Sequence, residues 1–78
     1  MDRIAADVDG AGRQQLPVAV AAYLREQIVS GRLRAGAHLR PQVIAGSMGI
    51  SATPVREGLL LLANEALVRR VPRHGFLV

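Results

Sequence analysis

A chain of 78 residues is long enough for one small domain, and its 50% hydrophobic content excludes a wholly disordered polypeptide. It contains no cysteine, so disulfide frameworks and thiolate metal sites are excluded. The formal net charge of +4 is unevenly distributed: residues 32–78 hold seven arginines and two glutamates, whereas residues 1–31 hold three arginines and four acids. A positive field confined to the later part of the chain favours a polyanionic partner.

Residues 1–15 are polar and contain glycine, which predicts a flexible N-terminal arm ahead of a folded domain over residues 16–78. The first twelve residues lack the apolar core of a secretory signal. No apolar run approaches the roughly 18–20 residues that are needed to span a bilayer. The sequence therefore predicts a soluble, cytoplasmic protein with no membrane partner.

Apolar residues at helical spacing predict a first helix that starts at Leu16-Pro17, because proline is tolerated in the first helical turn. Gly31 is a suitable residue for the end of this helix. Residues 32–39 follow as a turn that leads into a short extended piece. A second helix is predicted from Pro41 to Met48, and Gly49 ends it in the left-handed conformation.

The second and third helices are separated by a tight turn at residues 49–51, and either of two residues caps the third helix. Thr53 as the cap places Pro54 at the first helical position, whereas Ser51 places it two residues further in. The spacing alone leaves both caps open.

The buried side of the third helix is predicted from Val55, Leu59 and Leu62, which follow the spacing i, i+4, i+7. Arg56 lies next to this stripe and points outward. One narrow stripe cannot bury the whole run of leucines at 59–62, so we expect Leu60 or Leu61 to be partly exposed or to cover a partner.

After residue 65 the pattern changes to two short strands at 67–71 and 76–78, joined by residues 72–75. Tyr23 and Phe76 are predicted to lie in the core. Three helices followed by a β-hairpin predict a mainly α domain with a small β-hairpin, namely a winged helix-turn-helix.

From these elements and motifs, the chain resembles the N-terminal DNA-binding domain of the GntR family of bacterial transcription regulators over about residues 17–78. The pentapeptide Thr-Pro-Val-Arg-Glu at 53–57 is similar to the FadR-like branch most of all. The matching segments are Leu24–Leu33, Gly49–Ser51, Thr53–Glu57, Leu67-Val68 and Arg73–Gly75, with single matches at Gly36, Leu39, Ala45, Leu59 and Leu62.

The resemblance implies a repressor or activator, with a repressor favoured, that binds a specific double-stranded DNA operator to regulate transcription. It places the third helix, at about residues 52–64, in the major groove and the wing tip, residues 72–75, in the minor groove. It further implies a homodimer, formed on DNA or through a C-terminal effector-binding domain that lies outside this chain. No cofactor and no small-molecule ligand is expected within residues 1–78.

Carried over by position, the resemblance also implies the DNA-binding residues. Arg56 would contact a guanine edge or a nearby phosphate, and the other residues would contact phosphates or, at the wing tip, the minor groove. Arg69 and Arg70 are interpreted as general phosphate-facing or solvent-facing charges. The predicted DNA-binding residues are Arg40, Gln42, Ser51, Thr53, Arg56, Arg73, His74 and Gly75.

The chain departs from the family pattern at several positions. Ala52 stands where the family usually has arginine, which removes a guanine contact of the kind that contributes ~1–3 kcal/mol of discrimination. Ala66 stands where a glycine is usual, and Leu60 and Leu61 stand where charged residues are frequent. Ala52 and the leucines favour an alternative function, a winged-helix protein–protein interaction module with only nonspecific affinity for DNA.

Catalysis and metal binding are not predicted. Neither His38 nor His74 has a second histidine or a carboxylate at a helical ligand spacing. The sequence also offers no nucleophile–base set and no glycine-rich loop of the phosphate-binding type.

Overall fold

The computed structural model describes residues 12–78, which form three helices and three short strands. The predicted winged helix-turn-helix is confirmed. No helix within this range is long and apolar enough to cross a membrane. In chain order the elements are α1 (Gly12–Val29), β1 (His38–Leu39), α2 (Pro41–Met48), α3 (Ala52–Asn64), β2 (Arg69–Val71) and β3 (Gly75–Leu77).

The start of α1 differs from the prediction. The helix begins at Gly12, four residues before Leu16, and Pro17 lies inside it. The predicted start was wrong because an internal proline removes one backbone hydrogen bond but does not prevent the residues before it from being helical. Gln14 and Gln15 are also good helix formers. The rest of the predicted arm, residues 1–11, lies outside the described residues.

The core forms where α3 packs against α1. Val55, Leu59 and Leu62 are fully buried, which confirms the predicted stripe, and Val20 of α1 is buried to the same extent. The remaining core residues come from α1, β1, α2, β3 and the segment before β2: Leu16, Ala21, Leu24, Leu39, Ala45, Met48, Val68 and Phe76. Burial of one face of α3 forces its opposite face toward solvent.

The close approach of α3 to α1 is centred on Gly58. A Cβ atom added at Gly58 would lie 2.9 Å from the backbone oxygen of Pro17 and 3.0 Å from Cγ1 of Val20. The first of these distances is shorter than real Cβ contacts, and a backbone oxygen cannot move aside as the end of a flexible side chain does. Gly58 is therefore required by helix packing.

The wing is part of a three-stranded antiparallel sheet in the order β1-β3-β2. The short extended piece predicted before α2 is confirmed as β1, but its pairing with β3, which sets Leu39 opposite Phe76, was not predicted. A strand of two residues is too short to show the alternation of apolar and polar residues that identifies strands in a sequence. Phe76 is buried at the centre of this sheet, as predicted.

The first strand of the hairpin starts at Arg69 rather than at residue 67, because a turn occupies the residues before it. Ala66 adopts the left-handed conformation in this turn, with φ 62°. This geometry explains why a glycine is usual at that position. An alanine there is strained by its Cβ atom.

Both helix boundaries next to the turn at residues 49–51 are defined by backbone conformation. Gly49 ends α2 with the predicted left-handed φ of 73°. Ser51, and not Thr53, is the residue that precedes α3, but its hydroxyl makes no capping hydrogen bond. The backbone, rather than a side-chain cap, therefore sets the start of α3.

Two features of α1 were not predicted. Tyr23 is 39% exposed, so its assignment to the core was wrong.

Arg25 forms a two-pronged ion pair with Glu65 just after α3, with Nε 2.8 Å from Oε1 and Nη2 2.5 Å from Oε2. These hydrogen bonds hold the pKa of Glu65 below its usual range, because they stabilise the ionised carboxylate.

The substitution Gly58→Ala tests the packing of α3 on α1. We expect a loss of about 1–3 kcal/mol in the free energy of unfolding, because the added methyl group overpacks the helix contact. Urea denaturation measures the loss. The control is Gly46→Ala in α2, where an added Cβ has nothing within 4 Å. That variant should gain up to about 1 kcal/mol from helix propensity, and an equal effect of the two variants would contradict the packing argument.

The substitution Ala66→Gly tests the strained turn before β2. We expect it to stabilise the domain by about 0.5–1 kcal/mol, because the relief of left-handed strain exceeds the added freedom of the unfolded chain. Ala63→Gly, within α3, should instead cost about 1 kcal/mol. The melting temperatures of the two variants should therefore move in opposite directions. A lower melting temperature for Ala66→Gly would contradict the strain.

Candidate nucleic-acid interface

One groove gathers most of the predicted DNA-binding residues. Its volume is about 310 Å³, and it lies between the start of α2, the exposed face of α3 and the wing, which we define as residues 69–77. Six of the eight predicted residues line it: Arg40, Gln42, Arg56, Arg73, His74 and Gly75. Ser51 and Thr53 do not line this groove but are exposed at the N-terminus of α3.

Two of the groove arginines, Arg40 and Arg56, each follow an apolar residue that is buried. Arg56 is exposed and follows the fully buried Val55, so the buried stripe of α3 directs Arg56 outward. Arg40 follows the buried Leu39 of β1 and immediately precedes α2, whose first residue is Pro41. The core thus determines which polar side chains meet in the groove.

The lining of the groove is strongly basic. Four arginines line it, and no aspartate or glutamate is among its lining residues. Within residues 12–78 none of these four arginines forms a salt bridge with a carboxylate. Four guanidinium groups held together without anions repel one another, and a bound polyanion would relieve this repulsion. The four are Arg40, Arg56, Arg70 and Arg73.

Arg70 is the groove residue whose position the sequence analysis did not identify. It was interpreted as a general phosphate-facing or solvent-facing charge, and it lines the groove from β2, where it pairs with Phe76 of β3. A strand places successive side chains on opposite faces. The strand register needed to assign those faces could not be obtained from a segment of three residues.

The wing tip is a tight turn. The backbone N–H of His74 donates to the carbonyl oxygen of Val71 at 3.0 Å, and Arg73 has a φ of 68°. With Pro72 before it, Arg73 occupies the position at which a type II turn requires a positive φ. The turn therefore holds the backbone of Arg73 in a defined conformation at the rim of the groove.

Gly75 is required by the fold as well as suited to close contact with a ligand. It has a φ of 82°, and an added Cβ would lie 2.6 Å from the backbone oxygen of Leu39. Only glycine allows β3 to approach β1 this closely. The same approach brings the wing against the start of α2 and closes one side of the groove.

His38 supports the wing tip, a role that the sequence did not reveal. Its Nε2–H donates a hydrogen bond to the carbonyl oxygen of His74. The two residues are 36 positions apart, so no local pattern could have connected them. Among the described residues no three histidine, cysteine, aspartate or glutamate side chains gather as metal ligands would.

The helices, the wing and the basic groove together define a winged helix-turn-helix domain. The bacterial regulatory proteins of the gntR family match residues 16–78 of this chain. The chain belongs to that family.

Curated relatives are similar over most of this chain. An uncharacterized helix-turn-helix-type transcriptional regulator in an unstable DNA locus of Streptomyces ambofaciens is 47% identical over 55 residues, 70% of this chain and 23% of that protein. The gluconate operon transcriptional repressor of Bacillus subtilis (strain 168) is 44% identical over 61 residues, 78% of this chain and 25% of that protein. The chain thus spans about a quarter of the length of these relatives.

A solved structure supports the same architecture. The crystal structure of a transcriptional regulator of the GntR family from Pseudomonas syringae pv. tomato str. DC3000 superposes with a TM-score of 0.75 at 33% identity. The superposition covers 85% of this chain and 28% of that one.

The substitution His38→Ala tests the support of the wing tip. We expect the backbone amide of His74 to exchange with solvent about fivefold faster, because loss of one hydrogen bond of about 1 kcal/mol loosens the turn. Hydrogen exchange followed by NMR measures the effect. His38→Gln retains an N–H donor and should exchange nearly as slowly as the wild type. Unchanged protection in His38→Ala would contradict the role of this contact.

Proposed function

We propose that this chain is a DNA-binding domain that recognises a specific double-stranded operator and regulates transcription as a repressor. The observation that carries the proposal is the groove beside α3, which four arginines line without any carboxylate. Such a surface suits the phosphates of DNA, which attract clustered arginines and release counterions on binding. Membership of a family of bacterial regulatory proteins supports the regulatory role, and similarity to a gluconate operon repressor supports repression.

In this proposal α3 enters the major groove. Arg56 projects from its exposed face, and its planar guanidinium can donate two hydrogen bonds to O6 and N7 of a guanine. Arg40, just before α2, and Arg70, in β2, contact phosphates, which position the helix but do not specify sequence. The wing tip, with Arg73 and His74, reaches the minor groove.

Ser51 and Thr53 contribute at the N-terminus of α3 rather than in the basic groove. Both are exposed, and the hydroxyl of Ser51 is not used as a helix cap. The first backbone N–H groups of a helix have no partners within the helix, so they attract anions. We place a DNA phosphate there, with the two hydroxyls as additional donors.

The number of copies that bind one operator follows from the length of DNA that a single copy contacts. One helix and one wing contact only half of a symmetric operator, so we propose that two copies bind together, through DNA or through a further domain. We also retain the FadR-like branch, a cytoplasmic location and the absence of catalysis as parts of this proposal. They rest on the resemblance of the chain to the GntR family and on the absence of secretory-signal and catalytic motifs from the given sequence.

The substitution Arg56→Ala tests the assigned contact on a duplex selected from a random pool. We expect a loss of about 1–3 kcal/mol in binding free energy, together with relaxed preference at one base pair if the partner is guanine. If the partner is a phosphate, the loss should be uniform across sequences and the salt slope should fall by about one. Fluorescence anisotropy at several salt concentrations separates the two results.

The matched control for this measurement is Arg34→Ala. Arg34 is exposed but does not line the groove, so its removal lowers the net charge by the same amount without removing a groove contact. A long-range charge effect alone should change affinity only slightly at 150 mM salt, where screening acts within about 8 Å. Equal losses for Arg34→Ala and Arg56→Ala would refute the proposed contact.

A protein–protein interaction module is the second candidate. Leu60 and Leu61 favour it, since they are 40% and 38% exposed on α3. Ala52 also favours it, because this first residue of α3 packs against the core and has no guanidinium with which to bind a guanine. Salt distinguishes the candidates: DNA binding through phosphates weakens steeply between 50 and 200 mM salt, whereas a leucine-mediated contact with a protein does not.

A further inference from the structure

The basic groove also contains exposed apolar side chains. Leu60 lines it from α3 and is 40% exposed, and Val43 lines it from the first turn of α2 and is 66% exposed. Leu60 lies four residues after Arg56, so the two side chains are neighbours on one face of the helix. The helix face that carries the candidate guanine contact is therefore partly apolar.

These apolar groups gain nothing from phosphates, and neither has been drawn into the core. They would be desolvated favourably only by an apolar group of the bound ligand. In the major groove of DNA the base edges present one such group, the C5-methyl of thymine, and aliphatic side chains contact it. The chemistry of the groove thus matches a duplex in which thymine lies near the guanine bound by Arg56.

We propose that Leu60, assisted by Val43, is a specificity-determining residue that recognises the C5-methyl group of thymine. This inference rests on the proposed function, since it requires α3 to lie in the major groove. It adds a base preference that the arginines cannot supply, because the hydrogen bonds of a guanidinium do not distinguish thymine from uracil, which lacks only the methyl group.

Leu61 is a matched control for Leu60. The two leucines are adjacent in α3 and nearly equally exposed, at 40% and 38%, but only Leu60 is among the residues that line the groove. A change in DNA affinity that reflects general hydrophobicity or helix stability should be the same when either leucine is replaced. A change that reflects contact with DNA should appear for Leu60 alone.

The experiment varies the DNA before it varies the protein. The sequence bound best in a selection from random duplexes is prepared with each thymine replaced singly by deoxyuridine, which lacks only the methyl group. For the wild-type protein we expect a loss of affinity of about fourfold at one or two positions, the effect of one buried methyl group of about 0.8 kcal/mol. All other positions should be unaffected.

The same duplexes are then measured with Leu60→Ala and Leu61→Ala, after thermal melting has verified that each variant is folded. We expect Leu60→Ala to bind thymine and deoxyuridine duplexes equally at the sensitive positions. Leu61→Ala should retain the fourfold difference. Val43→Ala should reduce the difference partially.

Three results would overturn the inference while leaving the proposed function intact. These are an enriched sequence without thymine, deoxyuridine substitutions that never weaken binding of the wild type, and an undiminished methyl effect in Leu60→Ala. Retention of DNA without any enriched sequence would instead refute sequence-specific recognition itself, and this inference with it.

Discussion

The packing of α3 against α1 is the constraint on which the rest of this domain depends. Three side chains of α3 are fully buried, and Gly58 between them allows the backbone of α1 to come within contact distance. Once this face is buried, the helical periodicity determines which residues of α3 are exposed. Arg56 and Leu60 are therefore directed outward by the burial of the opposite face.

The second constraint is the pairing of β1 with β3. It joins the wing to the segment that leads into α2, and the absence of a Cβ atom at Gly75 permits the approach to Leu39. His38 adds a hydrogen bond to the wing tip from the same side. Because β1 runs directly into Arg40, this pairing also places a cation of the α2 start opposite the cations of the wing. The short strand β1 therefore contributes both to the position of the wing and to the clustering of positive charge in the groove.

The groove combines strong positive charge with exposed apolar side chains, and the two suit different parts of DNA. Arginines attract any nucleic acid, and only those that reach base edges distinguish sequences. Ala52, at the first position of α3, has no guanidinium and packs against the core. Leu60 and Val43 supply apolar surface beside Arg56 instead. Selectivity in this domain would then depend on methyl groups as well as on guanine.

The sequence by itself determined the helices of this domain and the buried stripe of α3. It also predicted eight DNA-binding residues, and six of these line one groove. Helical periodicity, glycine at helix ends and motif spacing act over a few residues, so a single chain displays them. Only the tertiary structure decided the earlier start of α1, the pairing of β1 with β3, the exposure of Tyr23, the position of Arg70 in the groove and the contact from His38 to His74. These features depend on strand register and on contacts between distant residues, which no local pattern specifies.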